Sequence, residues 1–175
     1  RILGDMLDLD RLIRGVVEPK TVPVDVSDVV HRVVGEADFL SGRTIELVTQ
    51  TVIAEIDVAK VERIVENLLV NAAKHTPVSS PIWVGVQPRA EGVLIFVEDE
   101  GPGVEPEHRE LIFEPFQQGG GDHPSPGSGI GLSLVARFAE LHGGTAWVED
   151  RDGGGASFRV LLPYAPERAA PARAS

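Results

Sequence analysis

The sequence predicts an α+β fold: a two-layer α/β sandwich with a mixed, mostly antiparallel sheet and helices on one face. Two observations predict it. Strand-like runs come in adjacent pairs, 82–87 with 93–98 and 145–149 with 157–162, each joined by a short polar or glycine-containing turn. Between the pairs lie segments whose apolar residues recur at helical spacing, the clearest being 61–76. Antiparallel hairpins with a few interspersed helices bury themselves as one sheet covered by one helical layer.

Composition bounds the rest. A chain of 175 residues, 42% hydrophobic and 25% charged, is one domain with a small appendage and enough apolar surface for a core. The net charge of −11 argues against a nucleic-acid partner, which needs basic patches, and against contact with an anionic membrane surface. There is no Cys, which excludes disulfides and thiolate zinc sites. No apolar run reaches transmembrane length, and no signal-peptide pattern opens the chain. Arg1 already stands inside a helical pattern, so the chain is expected to be a piece of a longer protein.

In order along the chain, residues 1–14 carry Ile2, Met6, Leu7, Leu9, Leu12 and Ile13 on an amphipathic pattern that stops at Gly15. A helix of this length is marginal alone. It packs either on another helix of the parent protein or as an ordinary first helix of the domain. Residues 21–24 read as a short strand after Glu18-Pro19-Lys20. Asp25 and Ser27 can cap a helix running to about Leu40, with Val29, Val30, Val33, Val34 and Ala37 inward. His31, within it, reads as a surface or packed residue and not a ligand. Residues 44–49 and 51–56 are β-rich, and Asp57 caps the central helix. A short helix is expected around 106–112. Residues 117–128 hold six Gly or Pro in twelve and read as a mobile loop. Helix 130–142 directs Ile130, Leu134, Phe138 and Leu141 inward and stops at Gly143-Gly144. The tail from Ala165 is expected to be disordered.

The chemistry starts on helix 61–76. Val61, Ile64, Val65, Leu68, Leu69 and Ala72 form a buried stripe, while Asn67, Asn71 and Lys74 stand at i, i+4 and i+7 on another face. A carboxamide oxygen can ligate a hard cation and a lysine can meet phosphate, so the three suit a magnesium–phosphate group. The bland alternative is a solvated polar face. Asp99-Glu100-Gly101-Pro102-Gly103 follows a strand. Asp99 can accept from the exocyclic amine of a base, and Gly101 and Gly103 let backbone approach a flat ring. Turns of this composition are also common without any ligand. Gly127-Ser128-Gly129-Ile130-Gly131-Leu132 leads into a helix, whose free N–H groups favour phosphate. It is not a P-loop, since Leu132 follows Gly131. Nor is it a dinucleotide fingerprint, which needs a third glycine at 132 and a strand just before.

In this order the segments NLLVNAAKHTP, DEGPGV, IFEPFQQ, GSGIGLSL and GGGASFRVLLP resemble the N, G1, F and G2 boxes and the closing strand of the catalytic domain of sensor histidine kinases. That domain has the Bergerat ATP-binding fold shared with gyrase, Hsp90 and MutL. The resemblance covers residues 22–163. It implies a division into 1–15 as the end of the dimerisation and phosphoacceptor helix hairpin, 16–164 as the catalytic ATP-binding domain, and 165–175 as a tail. It implies ATP and Mg²⁺ as cofactors, with Asn71 ligating the metal, Asn67 assisting one turn back and Lys74 on phosphate. Asp99 would read the adenine amine, with Gly101 and Gly103 lining the base pocket. Gly127, Gly129, Gly131 and Leu132 would wrap the phosphates, and Phe113 and Phe116 would anchor the loop above them or simply join the core.

The chain departs from the family at three places. His75 stands where Tyr is frequent and can still stack on adenine. The loop 117–128 has no Lys or Arg, leaving His123 as its one cationic candidate, and Ala156 replaces a frequent Thr. The implied reaction is in-line transfer of the γ-phosphoryl group to a histidine, for relay to a response-regulator receiver domain. None of His31, His75, His108, His123 or His142 lies in an acceptor motif, so the acceptor is expected on the missing helix. The partners implied are those helices, a receiver domain and a second copy in a homodimer. The domain is expected to be cytoplasmic, within a parent that can be anchored in the membrane. Two readings compete: a serine kinase of the anti-sigma type, and a degenerate docking module without nucleotide. A gyrase-like hydrolase would put a Glu general base where Asn67 stands.

Overall fold

The computed structural model describes residues 2–117 and 129–165. Residues 118–128, with His123 and Gly127, and the tail beyond 165 lie outside the described residues. The elements are α1 (Ile2–Ile13), β1 (Val22–Asp25), α2 (Val26–Glu36), β2 (Ile45–Thr49), β3 (Ile53–Ile56), α3 (Val58–His75), β4 (Ile82–Pro88), β5 (Val93–Asp99), α4 (Gly131–Leu141), β6 (Thr145–Asp150) and β7 (Ala156–Leu162).

The main sheet has the order β2-β4-β5-β7-β6, with β2 parallel to β4 and every other pair antiparallel. β1 and β3 form a separate antiparallel pair. The neighbours β2 and β3 therefore part company across three residues. Gln50 N–H donates to Val86 O at the end of the large sheet, while Val26 N–H takes Val52 O beside the small one.

Alternation decides which sheet face is covered. Ile82, Val84 and Val86 on β4, Val93, Ile95 and Val97 on β5, and Phe158, Val160 and Leu162 on β7 are all buried and in register with one another. Helices α2, α3 and α4 cover that face. The α3 stripe Val61, Ile64, Val65, Leu68, Leu69 and Ala72 is buried against it. Each fully buried aliphatic side chain contributes about 1.5–3 kcal/mol, so this contact outweighs any single polar interaction in the molecule. The opposite face carries polar and aromatic residues. Arg151 stacks 3.8 Å over the Trp83 ring, and Arg159 pairs with Glu149 at 3.4 Å.

Asp57 caps α3 as expected, its carboxylate accepting from Lys60 N at 3.3 Å and from Lys20 N at 2.9 Å. Asp25 caps α2 through Ser27 N at 2.9 Å. That helix ends at Glu36, short of the expected Leu40. Gly35 weakens its last turn, and Asp38–Leu40 continues as a separate 3₁₀ turn. The expected helix near 106–112 is likewise two 3₁₀ turns, Pro106–His108 and Leu111–Phe113. Helix α1 packs within the chain on α4, with Leu9 buried and Asp5 paired to Arg63 of α3, while Leu3, Leu7 and Ile13 stay exposed.

His142 does more than end a helix. It is 1% exposed at the C-cap of α4. Its Nε2 accepts from Asp57 N–H at 3.0 Å and its Nδ1 lies 2.7 Å from Phe138 O. Asp57 N–H is only a donor and Phe138 O only an acceptor, so the neutral ring carries its proton on Nδ1. The ring thereby joins the end of α4 to the start of α3. Burial pushes its pKa below the usual value of 6.5, opposed by the Phe138 carbonyl and by Asp57. A depressed folded pKa gives stability that is present above about pH 6.5 and lost as pH falls through the folded value. His75, also depressed, acts with the same sign. His142→Gln is therefore expected to cost about 1–3 kcal/mol at pH 7.5 by leaving buried polar groups unmatched. It should also flatten the loss of stability between pH 7 and 5, read by denaturant unfolding across that range.

Candidate functional site

Helix α3 sets the axis of the site. Asn67, Asn71 and Lys74 share one side of it, and α3 ends at His75 with Thr76 as its C-cap. At 1.5 Å per residue, Asn67 and Thr76 are about 13 Å apart along the axis. The two ends meet different partners.

At the Asn67 end lies the start of α4. Helices α2 and α3 have aspartate caps, but α4 begins behind Ile130, which supplies no side-chain cap. The Ser133 hydroxyl is turned to Ile130 O at 2.7 Å and caps nothing. Among the described residues no side chain caps the first N–H groups of α4, and the positive end of the helix stands behind them. Asn67 is 7% exposed and lies directly beneath, its Oδ1 3.5 Å from where a Cβ on Gly131 would stand. Its Nδ2 is buried without a hydrogen-bond partner among the described residues. A buried donor with no acceptor costs free energy that a bound acceptor would recover. Gly129 precedes the helix at φ +66, where a Cβ would crowd the Phe116 backbone at 3.1 Å. Phe116 N–H donates to Gly129 O at 3.0 Å, closing the base of the loop.

At the other end stands Asp99. In the register of β5 it continues the inward series Val93, Ile95, Val97, so a core position carries a carboxylate at the strand's last residue. It is 2% exposed, and its Oδ1 accepts from Gly101 N–H at 2.8 Å. Burial pushes its pKa up, opposed by the Gly101 and Ala156 backbone groups and by His75 and Arg151. A side chain at 101 would lie 2.8 Å from Asp99 Oδ1 and 3.1 Å from His75 O, so only glycine lets the end of α3 close on this turn. Gly103 adopts φ +73 against Gly155 O.

The structure therefore brings Asn67 to Gly131, and Asp99 to Gly101, His75 and Thr76. Asn71 is half-buried between the two ends, Lys74 and His75 are exposed, and Leu132 is half-buried on the first turn of α4. The two phenylalanines separate. Phe113 joins the core edge-on to Phe158, centroids 6.5 Å apart, whereas Phe116 is 64% exposed at φ 63. Gly127 lies outside the described residues. Among the described residues no group of three or more His, Cys, Asp or Glu is suited to a metal ion, so Asn67 and Asn71 are the candidate protein donors. A recess of about 270 Å³ lined by Phe113, Ala136, Ala146 and Trp147 among others shares only Phe113 with these residues.

Two residues escaped the sequence reading. Thr76 is buried, its Oγ1 donating to Ala72 O at 2.7 Å, and it abuts Gly101. Gly155, at φ +101, passes so close to Asp99 O that no side chain fits. The triple glycine before β7 was the available signal for the second. For Thr76 the signal was a hydroxyl at the helix end, just before Pro77.

The profile of the histidine kinase-, DNA gyrase B-, and HSP90-like ATPase family matches residues 56–166, which hold the whole of this arrangement. The chain belongs to that family. The sensor histidine kinase TmoS of Ectopseudomonas mendocina is 47% identical over 67% of this chain, which spans 12% of TmoS. The solved mycobacterial sensor histidine kinase MprB superposes with a TM-score of 0.73 at 29% identity, covering 84% of this chain and 99% of that one. The full-length ShkA complex with AMPPNP gives 0.79 at 29% identity, over 95% of this chain and 36% of that one.

The Asp99 end of the candidate site carries a stability cost that can be measured. Asp99, with its pKa raised above 3.8, favours folding most below that value and loses its contribution as pH rises through the folded pKa. At pH 7 its buried charge opposes folding. Asp99→Asn is expected to raise the ligand-free thermal midpoint at pH 7, with the gain shrinking towards pH 4. A lower midpoint at pH 7 would contradict this.

Proposed function

We propose that the chain is the catalytic ATP-binding domain of a two-component sensor histidine kinase, transferring the γ-phosphoryl group of ATP to a histidine on another segment. The observation that carries this reading is the pairing of unlike ends on one helix. An uncapped α4 N-terminus sits over an orphaned Asn67 amide at one end, and a buried Asp99 beside a glycine turn stands at the other. The first suits phosphate and the second a base amine. Similarity to TmoS and MprB supports assigning the acceptor class to histidine.

The donor set fits ATP with Mg²⁺. Asn71 with Asn67 would hold the metal through neutral carboxamides, and Mg²⁺ bound this way supplies neutralisation of phosphate charge. Lys74 adds a mobile point charge on phosphate. Asp99 accepts from the adenine amine, His75 stacks on the base, and Gly101 and Gly103 admit it closely. The first N–H groups of α4 at Gly131 and Leu132, with the Gly129 backbone and the Gly127 loop before it, hold the phosphates. Phe116 anchors the root of that loop. The protein's share of catalysis is positioning and charge stabilisation. Asn67 cannot take a proton from water, so rapid hydrolysis is disfavoured and the phosphoryl group is kept for its acceptor.

The partners in this reading are the phosphoacceptor helices, of which 1–15 is the end, a receiver domain whose aspartate takes the phosphoryl group, and a second copy in the parent homodimer. The parent places this domain in the cytoplasm. No helix among the described residues is long and apolar enough to cross a membrane.

Asp99→Asn is expected to weaken binding of a non-hydrolysable ATP analogue by about 1.5–3 kcal/mol, the value of a charge-assisted hydrogen bond. Calorimetric affinity within twofold of the parent would contradict the assignment. Incubation with γ-labelled ATP should leave the chain without stable acid-labile phosphate. Labelling would overturn the placement of the acceptor elsewhere.

A further inference from the structure

The C-terminus of α3 lacks the glycine that ends α4. Thr76 is extended there, at φ −134 and ψ 149, and Pro77 follows. Four carbonyls at a helix end need donors, and the negative end of the helix dipole favours a cation. Arg43, from the loop before β2, supplies both. Its Nη1 donates to Thr76 Oγ1 at 2.8 Å and Pro77 O at 2.9 Å, and its Nη2 to Ala73 O at 2.8 Å and Thr76 O at 2.6 Å.

The guanidinium is itself fixed. Arg43 N–H donates to O of the buried Leu40 at 3.0 Å, and the next carbonyl, Thr44 O, accepts from Ile82 N at the start of β4 at 3.0 Å. Arg43 thus ties the end of α3 to the edge of the sheet. Thr76 Oγ1 gives its proton to Ala72 O and takes Arg43 on a lone pair, so the hydroxyl is held in one orientation. The opposite side of this terminus touches the base end of the site. Thr76 Cγ2 and His75 O lie 3.5 and 3.1 Å from the position a Cβ on Gly101 would take, and Gly101 N–H holds Asp99 Oδ1 at 2.8 Å. Any movement of the α3 end is passed to Gly101 and from there to Asp99.

We propose that Arg43 is a positioning residue for nucleotide recognition: its planar fork sets the end of α3 so that Thr76, His75 and Gly101 hold Asp99 in its base-reading place. This deepens the nucleotide reading of the site and rests on it. Lysine cannot replace the fork, being a point charge without fixed donor directions.

The test uses Arg43→Met and Arg43→Lys with ADP as probe, and the Gly101 amide resonance as a readout that needs no nucleotide. Both variants should shift the Gly101 and Thr76 amide signals and leave Trp147 and Arg159, paired on the far sheet face, unmoved. ADP affinity should fall about tenfold in Arg43→Met and less in Arg43→Lys, because small displacements at a preorganised site are costly. Ethylguanidinium added to a third variant, Arg43→Ala, whose short side chain leaves room for it, should restore both the signals and the affinity, which a general loss of folding would not allow. Unmoved Gly101 signals in both variants, or ADP affinity equal to the parent's, would overturn the proposal. If the parent binds no ADP, the nucleotide reading fails, and the Gly101 shifts alone decide whether Arg43 positions the turn.

Discussion

The burial of the α3 stripe against the inner face of the main sheet is the contact on which the rest depends. Six apolar side chains lie against strands whose own inward residues are almost wholly buried. This fixes the rotation of α3, and with it the face that carries Asn67, Asn71 and Lys74. Its two ends are fixed separately. Asp57 and His142 tie the N-terminus to the end of α4, and Arg43 ties the C-terminus to the loop before β2. A helix held along its length and at both ends can present polar groups about 13 Å apart as one rigid set.

The site itself departs from what a stable core would prefer. Asp99 occupies an inward register position where an aliphatic residue would pack without cost, and the Asn67 amide is buried without an acceptor. Among the described residues helix α4 has no side-chain cap, unlike α2 and α3. Each feature opposes stability in the ligand-free chain, and in the proposed reading each offers a bond to a nucleotide. The apolar layer behind them supplies enough stability to tolerate all three.

Much of this was legible in the residues. The α3 stripe, the aspartate caps and both hairpins follow from periodicity and capping rules, and the order of the motifs pointed to the ATPase family. The partition of β2 and β3 between two sheets was not legible, because pairing partners distant in sequence leave no local signal. The early end of α2 was missed because four more residues kept a helix-compatible pattern past Gly35. The Arg43 bridge and the His142 link were hidden for a related reason. Each joins residues thirty or more apart, and a single Arg or His in a sequence does not reveal which helix end it meets. Phe113 and Phe116 looked alike in sequence, and only the packing shows one in the core and the other in solvent.

In the proposed reading one helix carries a nucleotide between an anion end and a base end, which amide and side-chain carboxamide NMR of the chain can test by titration with a non-hydrolysable ATP analogue and Mg²⁺. Saturable shifts are expected at the Asn67 and Asn71 carboxamides, at Gly101 and Gly103, and at Gly129–Leu132, with the Asn67 shift dependent on the triphosphate. Shifts confined to the far sheet face around Trp83 and Arg159, or none at millimolar ligand, would contradict it.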